Sequence, residues 1–239
     1  MRLGDSDLVL SQRLGEWCGH GPVLEEDLAL TNVALDLLGQ ARLWLTLAGD
    51  LEAEAGGQHR TEDDLAFLRD AGQFRNLLLV EQPNGDYAQT MTRQYLFDAW
   101  HLPLLNALAA GGPARIAAIA AKAQKEAAYH LRRSRDWVVR LGDGTTESHR
   151  RMQTALDGLW PFTGEMFAAD AVDNAVVPLT DLQTPWREEV SATLALATLE
   201  LPAAAWMQKG GKQGVHSEKL GHLLAEMQFL QRAYPGAQW

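Results

Sequence analysis

The sequence predicts an all-α protein, an antiparallel helical bundle with additional helices near its C-terminal end. Three observations predict it. Apolar residues recur three and four positions apart along several long stretches, which is the period of one helix face. The segments between those stretches are built from glycine, proline, asparagine and aspartate, the residues of turns. Alternating apolar and polar runs joined by a hairpin turn, the mark of a strand pair, do not occur. No internal repeat or low-complexity tract interrupts the pattern, so a single domain over residues 1–239 is expected.

Ser6–Trp17 reads as the first helix, with Leu10, Leu14 and Trp17 on one face and Glu16 beside them, and Gly19-His20-Gly21-Pro22 stops it. Glu25, Glu26 and Asp27 then place negative charge at the start of a second helix, where the macrodipole favours it. That helix runs to about Leu51 and carries two stripes. Leu30, Val33, Leu37, Gln40, Trp44, Leu47 and Leu51 form one; Leu28, Leu35, Leu38 and Leu45 form the other. Two stripes predict burial on both sides and a central position. After a polar loop, Thr61 is a cap for a short helix whose first turn holds Glu62, Asp63 and Asp64. Phe74–Val80 is an apolar run too short to assign, and Pro83-Asn84-Gly85-Asp86 is a turn.

A helix from Tyr87 to about Leu108 turns Met91, Tyr95, Asp98, Leu105 and either His101 or Leu102 inward, with a bend at Pro103. Gly111-Gly112-Pro113 separates it from the stretch Ile116–Leu141. There the inward face is narrow: Ile116, Ala120, Ala123, Ala127, His130, Ser134, Trp137 and Leu141. Its alanines let a neighbouring helix come close, and His130 is its one inward imidazole. His149 to about Ala169 reads as a helix kinked near Pro161, and Val176–Gln183 as a loop. Thr184-Pro185 opens the next helix as cap and first helical residue, and Pro202 closes it. Lys209-Gly210-Gly211-Lys212-Gln213-Gly214 reads as a flexible surface loop. A last helix lines up His216, Leu220, Leu223, Met227 and Leu230, followed by the tail Tyr234–Trp239.

Composition excludes several classes. With a formal net charge of −10, the chain lacks the basic footprint of a nucleic-acid binder. No apolar run is long enough to span a membrane, and MRLGDSDLVL lacks the basic-then-apolar order of a secretory signal. The single cysteine, Cys18, excludes an internal disulfide and a cysteine metal cluster, so a cytoplasmic location is expected. The eight tryptophans are a surplus that core and interface must share.

Four of the helices offer an inward polar group near their middle: Glu16, Gln40, Asp98 and His130. That arrangement suits a bundle built to hold metal, because two irons that activate dioxygen need bridging carboxylates with imidazoles completing the shell. Two Glu-x-x-His motifs are required, and neither is present. Ala127 stands three residues before His130, and Glu126 is turned roughly 100° away around the helix. Asp98 and His101 are an Asp-x-x-His by spacing, but His101 lies about 60° off the face of Asp98, which reads as chance or a surface pair.

The stretches SQRLGEWCGHGPVLEEDLALTNVALDLLGQAR, NLLLVEQPNGDYAQT, RQYLFDAWH, KEAAYHLRRSRDW and HLLAEMQFLQRAYPGAQW closely resemble the small structural subunit of the ring-1,2-phenylacetyl-CoA epoxidase, along nearly the whole chain. The resemblance implies a ferritin-like fold and a multicomponent oxygenase of aerobic phenylacetate breakdown. It implies that the di-iron site lies in a catalytic partner subunit, that a reductase supplies electrons, and that this chain supports the partner. Against the catalytic subunit's Glu-x-x-His motifs this chain offers Leu37-x-x-Gln40 and Ala127-x-x-His130, while Glu16 and Asp98 stand for the single carboxylates. Glu16, Leu37, Gln40, Asp98, Ala127 and His130 are then a vestigial pocket that binds no metal, with no cofactor in this chain and no catalytic residue.

Two rivals belong to other classes. One is a self-sufficient iron or manganese enzyme using Glu16, Asp98, His130 and Glu126. The other is a regulatory acyl-CoA-binding module with Lys209 and Lys212 on the phosphates, although the loop is no P-loop. His130 as a core histidine bonded to Asp98 or Glu16 is the plainer reading, and Cys18 as a small buried residue.

Overall fold

The computed structural model describes residues 1–203 and 206–237. Among these residues there is no strand. The helices are α1 (Arg2–Gly15), α2 (Leu24–Glu54), α3 (Glu62–Phe67), α4 (Tyr87–Gly111), α5 (Ala114–Gly142), α6 (Thr146–Leu159), α7 (Ala171–Asn174), α8 (Gln183–Leu196), α9 (Glu218–Met227) and α10 (Phe229–Ala233). The all-α expectation is met, and the helical content is consistent with a ferritin-like bundle. The chain divides into two compact units, Met1–Pro83 with Gly210–Trp239, and Asn84–Lys209. Gln238 and Trp239, the end of the tail, lie outside the described residues.

In the first unit α1 packs along α2, and α3 and α9 close against them. Gly4 of α1 lies against Trp44 and Leu45 of α2, and Ser11 donates to the Ala34 carbonyl at 2.7 Å. Leu8, Leu10 and Leu14 of α1 are buried, as are Leu30, Val33, Leu37, Trp44 and Leu47 of the inward stripe of α2. The loop after α2 folds back so closely that a Cβ on Gly49 would lie 1.9 Å from the Arg60 carbonyl oxygen, so only glycine fits. Thr61 caps α3 as expected, in a reciprocal box with Asp64.

The run Phe74–Val80, unassigned from sequence, is irregular backbone, and Phe74 and Leu77–Val80 are buried. Buried backbone outside a helix needs partners for its polar groups. Side chains supply them. Asp5 accepts from the Arg75 amide at 2.8 Å and Ser6 from the Leu77 amide at 3.2 Å. Gln82 donates to the Leu78 carbonyl at 2.8 Å, and Arg13 to the Glu81 carbonyl at 2.9 Å. His216 bridges the Phe74 carbonyl at 3.0 Å and the buried Glu81 carboxylate at 2.9 Å. Arg69 crosses the same region, pairing with both Asp5 oxygens and lying 4.2 Å over the Phe74 ring.

In the second unit α4 and α5 pack side by side along most of their length, with α6 and α8 against both. Asp86 caps α4 by accepting from the Gln89 amide at 3.0 Å. Pro103 sits inside α4 without ending it. On the narrow face of α5, Ala120, Ala123, Ala127, His130 and Ser134 are buried as expected, whereas Ile116, Trp137 and Leu141 are half-buried. Trp186 of α8 donates to the Leu96 carbonyl at 3.1 Å and packs on Trp160 and Phe167.

Several expectations are corrected. The second stripe of α2 is not covered by this chain: Leu28, Leu35 and Leu38 are exposed, and only Leu45 is buried. The helix expected to kink at Pro161 instead ends at Leu159 and continues as two 3-10 turns, because proline removes a backbone donor just where the helix would carry on. Thr184 is not the cap of α8, since a 3-10 turn at Leu179–Leu182 runs straight into the helix. The glycine loop is a compact 3-10 turn with Gly210 and Gly214 at positive φ, and a Cβ on Gly214 would meet the Gly72 carbonyl oxygen at 2.3 Å. Cys18 is exposed, just past the end of α1.

Asp5→Ala would strand the Arg69 guanidinium and the Arg75 amide in the interior. We expect it to lower stability by about 3–5 kcal/mol, measured by urea unfolding. A change below about 1 kcal/mol would show that this network does not hold the buried segment.

Candidate functional site

The six positions assigned by resemblance are divided between the two units. In the first, Leu37 and Gln40 are buried on α2. Glu16 caps the C-terminal end of α1, half-buried, and pairs with Arg13 at 2.8 Å. Besides Asp5, which Arg69 pairs, α1 buries a second carboxylate, Asp7, at 0% exposure. Nine residues separate Asp7 from Glu16, so the two lie on roughly opposite sides of the helix. Burial pushes the Asp7 carboxyl well above the ordinary carboxylate range. Sequence reasoning missed Asp7, although its spacing from Leu10 and Leu14 is that of an inward residue.

In the second unit Asp98, Ala127 and His130 are buried on the facing helices α4 and α5. Asp98 accepts from Gln94, one turn earlier on α4, at 2.8 Å and from Ser134 of α5 at 2.7 Å. Burial raises its pKa to about 6, against the pull of the His130 charge and these two hydrogen bonds. His101, expected to be a chance or surface member of an Asp-x-x-His, is fully buried instead, against Phe97 at a ring separation of 4.8 Å. Burial, and next the charge of His130, lower its pKa to about 3, so it is a neutral imidazole at pH 7.

Two bridged irons would need carboxylates and imidazoles at all six positions. Leu37, Gln40 and Ala127 supply none, and the two oxygens of Asp98 are each held by a neutral donor. These residues do not fit a di-iron centre. Within each unit, no three His, Cys, Asp or Glu side chains among the described residues are grouped so as to hold a metal ion. Glu126 is half-buried on α5, off the narrow inner face. Of the two lysines in the glycine loop, Lys209 is exposed, whereas Lys212 is buried.

Fold and site together define a helical-bundle protein of ferritin-like type, with a buried carboxylate–imidazole cluster and an incomplete ligand set. The chain belongs to the phenylacetic acid catabolic protein family, whose profile it matches over residues 1–239. It is similar to the C subunit of the 1,2-phenylacetyl-CoA epoxidase of Escherichia coli (strain K12), with 54% identity over 245 residues, covering 100% of this chain and 97% of that protein. The family resemblance read from the sequence is borne out. No helix among the described residues is long and apolar enough to cross a membrane.

The two buried titrations have opposite signs. Asp98 holds in the native state a proton that the unfolded chain releases, so its contribution falls as pH rises from about 4 to about 6. Above that window its buried charge costs ~3 kcal/mol. Asn keeps both hydrogen bonds, because its oxygen accepts from Gln94 and its amide donates to Ser134. Asp98→Asn is therefore expected to stabilise the protein by ~2–3 kcal/mol at pH 7.5 and by nothing below pH 4, in urea titrations across that range.

His101 is neutral when folded and protonated when unfolded, so stability falls as pH drops from 6.5 toward 3. At pH 5 this loss is ~2 kcal/mol. His101→Leu should remove that acid limb, leaving a variant that gains stability on acidification through the Asp98 window. An unchanged acid limb in His101→Leu would refute the assignment.

Proposed function

We propose that this chain is a structural subunit of a phenylacetyl-CoA epoxidase complex and carries no iron of its own. The observation that carries the reading is the end-to-end similarity to the C subunit of the Escherichia coli epoxidase. In such a complex one oxygen atom of O2 enters the aromatic ring of phenylacetyl-CoA. The other leaves as water, with two electrons passed from NADPH through a reductase. That chemistry belongs to a di-iron catalytic subunit, which this chain binds and keeps folded as a single ferritin-like domain in the cytoplasm. The donor set supports the division of labour. Asp98 is satisfied without a cation, and an amide and two aliphatic side chains occupy positions where carboxylates and an imidazole would be needed. The burial of Lys212 gives the acyl-CoA-binding reading little to rest on.

Co-expression with the catalytic subunit, followed by elemental analysis of each separated chain, tests this. Iron should follow the catalytic subunit, and omitting the present chain should reduce epoxidation to background. Near-stoichiometric iron on this chain, or full turnover by the catalytic subunit alone, would defeat the proposal.

A further inference from the structure

The ring of His216 lies between two groups that accept hydrogen bonds. Its Nδ1 is 2.9 Å from a carboxylate oxygen of Glu81, and its Nε2 is 3.0 Å from the Phe74 carbonyl oxygen. The two side chains are 4% and 0% exposed. Two more donors converge on the same carboxylate, the Asn76 side-chain amide at 3.2 Å and the Ser217 backbone at 2.8 Å. A neutral imidazole has one donor nitrogen and one acceptor, whereas an imidazolium has two donors. A neutral ring here would turn a lone pair onto either the carbonyl or the carboxylate oxygen. Burial makes such an opposed pair costly. The doubly protonated ring is the form that satisfies both contacts.

The other charges around the ring come from every element packed there. Arg75 donates to the same Phe74 carbonyl at 2.6 Å. Arg13 of α1 donates to the Glu81 carbonyl at 2.9 Å and to the Lys219 carbonyl at 3.3 Å, and pairs with Glu16. Arg69 lies over the Phe74 ring and pairs with Asp5. Lys212 is buried in the turn before His216, and Glu218 and Lys219 open α9. Arginine, lysine and carboxylate side chains keep their charge between about pH 6.5 and 9, and imidazole is the group that changes in that range. The turn itself, Gly210–Ser217, holds together through short local bonds, Gln213 and Val215 both donating to the Gly210 carbonyl at 2.9 Å. Beyond it α9 is anchored independently of the ring: Leu220, Leu223 and Leu224 are buried, and Gln228 donates to the Ala66 and Arg69 carbonyls.

We propose that His216 is the pin of a proton-operated clasp: charged, it fastens the turn Gly210–Ser217 onto the buried segment Phe74–Gln82, and loss of its proton opens that turn while α9 stays in place. The inference goes beyond the proposed function and does not rest on it. Its sign follows from proton binding. The native ring holds a proton that the unfolded chain releases above about pH 6.5. The clasp therefore contributes fully below that pH, and its contribution is lost as pH rises and the folded ring itself gives up the proton.

Nitrogen-15 NMR of the histidine rings in the full wild-type chain reads the protonation directly, and at pH 7 both nitrogens of His216 should carry a proton. Hydrogen exchange, corrected for base catalysis, reads the opening. Protection of the Val215 and Ser217 amides should fall at least about tenfold between about pH 7 and 9, to below that of Leu223 and Leu224 on α9. Glutamine has one donor and one acceptor end, like the neutral ring, so His216→Gln should show the weakened protection already at pH 7 and no further change. In urea titrations the unfolding constant of His216→Gln relative to wild type should fall at least about tenfold from about pH 6.5 to 9, whereas a histidine that merely packs would give a constant ratio. A singly protonated His216 ring at pH 7, a ratio that does not move with pH, or Val215 and Ser217 protected as well as Leu223 and Leu224 at pH 9 would overturn the proposal. If His216→Gln fails to fold, the ring spectrum and the exchange of the wild type decide alone.

Discussion

The first unit depends on one constraint: a buried stretch of non-helical backbone must find partners for its amides and carbonyls. Phe74–Gln82 runs through the interior, and a helix cannot satisfy it. Asp5, Ser6 and Arg13 of α1 reach it from one side, and His216, ahead of α9, from another. This explains why α1 buries Asp5, Ser6 and Arg13 alongside Leu8, Val9, Leu10 and Leu14. It also explains why the chain after Lys209 returns to the unit that contains α1. His216 and Ser217 complete the coordination of the Glu81 carboxylate, and Gln228 of the C-terminal segment donates to the Ala66 and Arg69 carbonyls.

What could be read from the sequence was whatever is local. The faces of α4 and α5, the box at Thr61 and the turn before Tyr87 are written in spacings of three or four residues, and they stand as read. The segment around Leu77 could not be read that way. Its hydrogen bonds join Asp5 to Arg75 and His216 to Phe74, separations that no window of sequence contains. The second stripe of α2 was misjudged for a related reason: periodicity says that a face is apolar, not which molecule covers it. Glu16 and Asp7 show a finer limit. Both are acidic residues of the α1 region, but they lie on roughly opposite sides of the helix, and it is the side of Asp7 that is buried.

The polar groups in the second unit are interior structure. Asp98, Gln94 and Ser134 tie α4 to α5 at the point where alanines bring the two helices close. Such a network fixes the register of two otherwise smooth faces, because sliding either helix would break a buried hydrogen bond. A carboxylate buried beside an imidazole is tolerable here because neutral donors already share its charge.

The satisfied state of Asp98 also bears on ancestry. Suppose a metal-binding forebear lost its ions and the neighbouring helix then acquired donors such as Ser134. Restoring a glutamate at Ala127 alone would now bury a second anion beside the first, with no ion to neutralise either, in a site that alanine fills at 1% exposure. Each single step backward is destabilising, and only several simultaneous replacements would recover a cation-binding interior. The hydrogen bonds to Asp98 therefore act as a ratchet, holding this interior in a state that no single substitution turns toward cation binding without loss of stability.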